Sequence, residues 1–231
     1  MLEVANIAVH YGDAVAVDNV SLAVGRGEWV SLIGPNGAGK TSVIKAILGL
    51  VPHAGNVHVD NQDLSTLAPW QRQAHGLGYV PEGRRLFPEL TVEDNLRAGG
   101  YKVPEKTLRQ RIEHIYDLFP RVQERRRQFA RTLSGGEQQM VALGRSLMGA
   151  PQLLLVDEAS LGLMPINVNI VFTALANLHS TGCAILLVEQ NARKALKYVD
   201  RAYVMETGSI KLSGTAAEIA NDPQVIASYL G

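Results

Sequence analysis

The sequence predicts an α/β fold: buried strands alternating with helices, preceded by antiparallel strands and interrupted by a helical insertion. Three observations predict it. Leu153–Val156 and Ala184–Val188 are continuous apolar runs, the mark of strands covered on both faces, and helical stretches follow each. Trp29–Ile33 is a third apolar run, followed by a glycine loop and a helical stretch, Lys40–Leu48. From Thr91 to about Gly149 the pattern turns helical, punctuated by Pro104, Pro120 and Gly135.

The remaining elements follow in order. Leu2–Val24 is rich in Val and Ala with polar alternation, as in half-buried antiparallel strands. Asn56–Val59 and Leu77–Val80 read as short strands. The helical insertion is expected between Phe87 and Leu133 (87–133), inside one domain spanning residues 1–231. Its basic cluster, Arg121, Arg125, Arg126, Arg127 and Arg131, reads as a solvated face near Glu124, with partner docking as the alternative. Tyr203–Met205 and Ser209–Leu212 flank Thr207-Gly208 like a hairpin, and Thr215–Leu230 reads as short amphipathic helices.

Composition narrows the function. With 231 residues the chain buries a core without disulfides or a structural metal. Lys plus Arg is 22 and Asp plus Glu is 22, so the net charge is zero. A neutral chain is a poor candidate for general nucleic-acid binding, which needs a basic surface against phosphate, and it is open to association with a partner. The single cysteine, Cys183, excludes an intramolecular disulfide and suits a reducing compartment; its apolar neighbours make it a core residue rather than a nucleophile. Met1–Asn6 has neither the basic region nor the apolar core of a signal peptide. No apolar run approaches the roughly 20 residues that span a bilayer, so any membrane role is played from the surface.

Gly34-Pro35-Asn36-Gly37-Ala38-Gly39-Lys40-Thr41 matches G-x-x-x-x-G-K-[ST] after a strand and before a helix. Glycines let backbone N–H groups converge on an anion, and the helix N-terminus adds a favourable dipole. Lys40 supplies a point charge to the β- and γ-phosphates, and the Thr41 hydroxyl is a hard ligand suited to Mg²⁺. Leu153–Glu158 supplies the second half: an apolar strand delivers Asp157 for the Mg²⁺ shell and Glu158 to polarise the attacking water. Together the two segments predict a P-loop NTPase core that hydrolyses a nucleotide.

Leu133-Ser134-Gly135-Gly136-Glu137-Gln138-Gln139 has two readings. Ser134-x-x-Glu137 is a capping box before a helix, and paired glycines at a helix start also expose N–H groups to an external anion. Lying just before the Asp157-Glu158 strand, this segment makes the chain resemble the ATP-binding cassette (ABC) ATPases along essentially its whole length.

That resemblance implies roles residue by residue. Tyr11 matches the aromatic that stacks on adenine, and Gly34 to Thr41 with Ser42 match the nucleotide loop. Ser134, Gly135, Gly136 and Glu137 match the signature, which in the family contacts the γ-phosphate held by the other subunit. Two cassettes therefore sandwich two ATP molecules, and the helical insertion matches the part that docks on membrane-spanning partners. Three positions depart from the common pattern. Val80-Pro81-Glu82 carries glutamate where glutamine is usual, which keeps an oxygen ligand for Mg²⁺ or water and adds negative charge. Gln190 stands at the usual position of a switch histidine and can donate to phosphate without becoming cationic. Met164 stands before Pro165 where an aspartate is usual.

Pro81–Pro88, Ser160–Leu163 and Val188–Ala192 together resemble the shorter ATPase subunit of bacterial branched-chain amino-acid importers, whose relatives serve urea and short amides. The resemblance implies two transmembrane permease subunits, a second cassette or second copy, and indirectly a periplasmic solute-binding protein. It also implies a peripheral position on the cytoplasmic face of the inner membrane and no nucleic acid. The rival readings are a soluble ABC protein, a nucleotide-regulated assembly factor and a P-loop kinase or GTPase; the short insertion, the intact Lys40, Asp157 and Glu158, and the Ser134–Gln138 segment respectively argue against them.

Overall fold

The computed structural model describes residues 1–230. Its centre is a six-stranded sheet in the order β10-β9-β3-β8-β7-β6. These strands are β3 (Trp29–Ile33), β6 (Leu77–Val80), β7 (Leu153–Asp157), β8 (Ala184–Glu189), β9 (Arg201–Glu206) and β10 (Ser209–Thr215). All neighbours run parallel except β10, which forms a hairpin with β9. A second, antiparallel sheet in the order β2-β1-β4-β5 is built from β1 (Leu2–Tyr11), β2 (Ala14–Val24), β4 (Ala54–Val59) and the two-residue β5 (Gln62–Asp63).

Side-chain alternation sorts the parallel strands between two cores. Val30 and Leu32, Leu153 and Leu155, and Leu186 and Val188 face the antiparallel sheet and helix α1 (Lys40–Ile47). Trp29 and Ile33, Leu154 and Val156, and Ile185 and Leu187 face the helices on the other side. Burial on both faces is why these strands read as unbroken apolar runs rather than as alternating ones. The expected α/β class, the leading antiparallel strands and the closing hairpin are all present.

Between β6 and β7 lie α3 (Val92–Gly99), α4 (Glu105–Leu118), α5 (Pro120–Glu124) and α6 (Gly135–Leu147). α4 buries Leu108, Ile112, Ile115 and Tyr116, positions spaced three to four residues apart along one stripe. Arg121 pairs with Glu124 at 2.7 Å and Arg131 with Glu89 at 3.3 Å, both at the surface. α7 (Pro165–Ser180) crosses from β7 to β8. α8 (Ala192–Ala195) follows β8, and α9 (Ala216–Asn221) and α10 (Pro223–Val225) close the chain with a final turn. Two short elements were not expected from the sequence: β5, and α2 (Pro69–Gln73), which leads into β6. Neither is long enough to display a period.

Candidate functional site

The carboxyl ends of the parallel strands converge on one rim, where ligands of open α/β sheets collect. β3 ends at Ile33 and the chain turns through Gly34–Gly39 into α1. Two glycines are required sterically. A Cβ on Gly34 would fall 2.1 Å from the Met205 carbonyl oxygen, and one on Gly39 would fall 2.3 Å from that of Ala16. Gly39 also holds φ +101°, in the region that favours glycine. Lys40 is buried, and its ammonium donates to the Gly34 and Pro35 carbonyls at 2.9 and 3.0 Å. It also lies 3.2 Å from Glu158 Oε1.

β7 delivers the carboxylates. Asp157 is fully buried, and its Oδ1 accepts from the Thr41 hydroxyl at 3.0 Å. The Tyr79 hydroxyl reaches Oδ2 at 3.5 Å. Burial is the main force that pushes the Asp157 carboxyl up to about 6, against the hydrogen bond from Thr41; the nearby Glu82 and Glu158 charges push the same way. Among the described residues this carboxylate has no salt bridge, and no cluster of three or more His, Cys, Asp or Glu is placed to hold a metal. A carboxylate beside a hydroxyl is a partial set of hard oxygen donors. It fits a cation that takes the rest of its shell from phosphate and water.

A cavity of about 330 Å³ is lined by Asn36 through Ser42 with Ala16, Glu82, Glu158 and Leu161. It brings the loop, Glu82 and Glu158 together. Tyr11 lies at its margin, with its hydroxyl 3.4 Å from that of Ser42. Gln190 does not line it and is exposed just beyond β8. Ser134–Glu137 do not line it either. They start α6 as a full capping box: the Glu137 carboxylate accepts from the Ser134 N–H at 2.8 Å, and the Ser134 hydroxyl accepts from the Glu137 N–H at 3.4 Å. Glu137 is further occupied by Arg125, 3.4 Å away.

Several neighbours of these groups escaped the sequence reading. Arg84 donates to Gln138 Oε1 at 3.1 Å, and its own carbonyl accepts from Arg145 at 3.1 Å, which ties the Glu82 loop to α6. A Cβ on Gly136 would fall 2.3 Å from the Asn167 amide, so α7 packs directly on the glycine pair. Glu189, at the end of β8, is buried and accepts from both the N–H and the hydroxyl of Ser160. The segments Pro81–Pro88 and Val188–Ala192 contain Arg84 and Glu189 without giving either a role, and nothing local marks Asn167, because each acts on a residue distant in sequence.

Parallel strands ending in a loop of this kind define the class of P-loop NTPases. Known proteins narrow it. Residues 17–161 match the family model described as ABC transporter, and residues 213–231 match that of branched-chain amino acid ATP-binding cassette transporters. The chain is 43% identical to the high-affinity branched-chain amino acid transport ATP-binding protein BraG of Pseudomonas aeruginosa, over 100% of both chains. It is 35% identical to the lipopolysaccharide export system ATP-binding protein LptB of Escherichia coli K12, over 98% of this chain and 95% of that one. A nucleotide-free ATP-binding cassette from an ABC transporter superposes with a TM-score of 0.88 at 27% identity, covering 100% of this chain and 99% of that one. The chain belongs to the ABC transporter family as an ATP-binding, ATP-hydrolysing cassette.

Proposed function

We propose that this chain is the ATPase subunit of an importer for branched-chain amino acids. The likeness to BraG along the full length and the matched C-terminal segment support that solute class. The observation that carries the hydrolytic mechanism is the 3.2 Å approach of Lys40 to Glu158 at the mouth of the glycine loop.

On that reading the loop N–H groups hold the phosphates, and Lys40 exchanges its carbonyl and carboxylate partners for the β- and γ-phosphate oxygens. Glu158, released from Lys40, orients and polarises the attacking water. Thr41, Asp157 and Glu82 are the residues that would hold Mg²⁺ beside the phosphates. When bound, the ion neutralises charge on the β- and γ-phosphates. Tyr11 stacks on adenine from the margin beside Ser42, and Gln190 acts as a neutral donor to phosphate. Ser134, Gly135, Gly136 and Glu137 serve the nucleotide of a second cassette, a related subunit or a second copy. The exposed side chains Leu161, Met164 and Ile166 follow Glu158 and suit coverage by that partner.

Among the described residues no helix is long and apolar enough to cross a membrane. The proposal puts the chain on the cytoplasmic face of the inner membrane, under two transmembrane permease subunits, with a periplasmic solute-binding protein acting indirectly. The helical segment 87–133 forms the docking side. Where that segment meets the core, a cavity of about 460 Å³ is lined by the exposed side chains Leu50, Trp70, Phe87 and Tyr101.

The test uses a tagged Glu158→Gln chain. It binds ATP and turns it over at least about a hundredfold more slowly than the parent. Purified from detergent-solubilised native membranes with ATP, it brings down two permeases and a second cassette. Full turnover by the variant removes Glu158 from the mechanism. Recovery of the chain alone, or with a soluble protein, removes the transport assignment.

A further inference from the structure

Glu158 is held in a conformation that a glutamate does not adopt unaided. Its φ is +47°, in the left-handed region, which costs a residue with a Cβ free energy and persists only where the surroundings impose it. Two contacts from the end of β8 brace the turn that carries it. The Glu158 N–H donates to the Val188 carbonyl at 2.9 Å. Two residues on, the Ser160 N–H donates to Glu189 Oε1 at 3.1 Å and the Ser160 hydroxyl donates to Oε2 at 2.8 Å. Glu189 is 2% exposed, and both its oxygens accept from Ser160, with the Asn191 N–H as a further donor to the carboxylate. Burial raises its carboxyl above the usual carboxylate range, against the pull of the Ser160 hydrogen bonds. Such a buried acid is retained against a desolvation cost, and nothing in the hydrolytic mechanism above uses it.

We propose that Glu189 is a positioning residue for ATP hydrolysis: by gripping Ser160 through both oxygens it fixes the turn that aims Glu158 into the nucleotide cavity. The proposal rests on the role given above to Glu158. The turn Glu158-Ala159-Ser160 is pinned at its first residue by a backbone carbonyl that every sequence supplies. It is pinned at its last residue by a side chain that only an acid or amide of this length can supply. Loss of the second pin frees the turn to relax toward an ordinary φ, and the Glu158 carboxylate leaves its place over the loop. Because Glu189 precedes Gln190, the same grip also fixes the distance between the turn and the residue proposed to sense phosphate.

The test compares Glu189→Ala, Glu189→Gln and Ser160→Ala in the purified full chain. Single-turnover hydrolysis and ATP affinity are measured with the protein in excess. Glu189→Ala lowers the hydrolysis rate at least tenfold and leaves ATP affinity within twofold. Glu189→Gln restores most of the rate, because its Oε1 accepts from the Ser160 N–H while its amide donates to the hydroxyl, which can accept as well as donate. Ser160→Ala, which removes one arm of the grip, costs a few-fold. In a Glu158→Gln background Glu189→Ala costs nothing further. An equal loss of ATP affinity and rate, a Glu189→Gln as slow as Glu189→Ala, or a full tenfold loss on top of Glu158→Gln each overturns the proposal. A slow Glu158→Gln beside a fully active Glu189→Ala overturns it while keeping Glu158 as the catalytic group. A fully active Glu158→Gln instead overturns the reading on which it rests.

Discussion

At the scale of single residues, burial decides which reactive groups are available. Lys40 and Glu158 are both largely withdrawn from water, yet each faces the nucleotide cavity and finds its counter-charge in the other. Cys183 is the opposite case. Its thiol donates weakly to the Pro151 and Ala184 carbonyls, and burial pushes it up to about 11. The thiolate is the nucleophile, so at pH 8 the folded chain should resist iodoacetamide for hours, while the same chain in denaturant is alkylated rapidly. Linkage adds a sign. The folded thiol ionises later than the unfolded one, so its contribution to stability is complete below the unfolded value and is lost as pH rises toward 11. Mass spectrometry of the alkylated chain against pH checks this, and rapid labelling of native protein at pH 8 would refute it. The meeting of Lys40 with Glu158 and of Thr41 with Asp157 was legible in the sequence because each residue lies in a contiguous segment of marked spacing. Glu189 was not: its partner Ser160 is 29 residues away, and only the pairing of β7 with β8 brings them together.

At the scale of elements, apolar strands and the helix after the glycine loop were legible, and short polar elements were not. β3, β6 and α1 lie where the apolar pattern predicts, and the capping box of α6 was visible as Ser134-x-x-Glu137. α2 was invisible because five residues carry no period; tertiary packing makes it a helix through Arg72. That side chain is 2% exposed, and its guanidinium donates to four carbonyls. Ala46 and Ile47 accept at 2.7 and 2.9 Å at the C-terminal end of α1, and Leu67 and Ser65 accept at 2.9 and 2.7 Å. It satisfies the carbonyls that a helix end leaves without partners, and it fastens α1 to the segment before β6. Arg72→Leu should destabilise the chain by about 3 kcal/mol, because buried carbonyls lose their donors together. Arg72→Lys should recover little, since an ammonium cannot reproduce the planar fork. Urea unfolding measures both, and a lysine variant within about 0.5 kcal/mol of the parent would show that charge alone suffices there.

At the scale of the whole molecule, one side chain, Tyr79, links the proposed permease groove to the carboxylate beside the nucleotide loop. Tyr79 lines the groove with Trp70, Phe87 and Tyr101, and its hydroxyl reaches Asp157 Oδ2 at 3.5 Å. The groove is also bounded by Gly99 of α3 and Arg145 of α6, so it spans the junction between the parallel-sheet core and the helical segment. An element seated there touches both halves at once, and β6, which lines the groove, pairs with β7 up to Val156, the residue before Asp157. Trp70 is the informative residue. It is 68% exposed, sits on α2 and belongs to no part of the nucleotide cavity. Trp70→Ala removes a large apolar contact from the proposed docking surface and leaves the fold intact. ATP hydrolysis by the variant chain alone should stay within about twofold of the parent, as surface substitutions away from the core usually do. Recovery of the permeases with the tagged variant should fall at least tenfold, as expected for an aromatic anchor worth about 1.4 kcal/mol or more. Unchanged recovery would move the docking surface elsewhere on the molecule. A parallel loss of hydrolysis in the isolated chain would mean that Trp70 supports the fold rather than the partner.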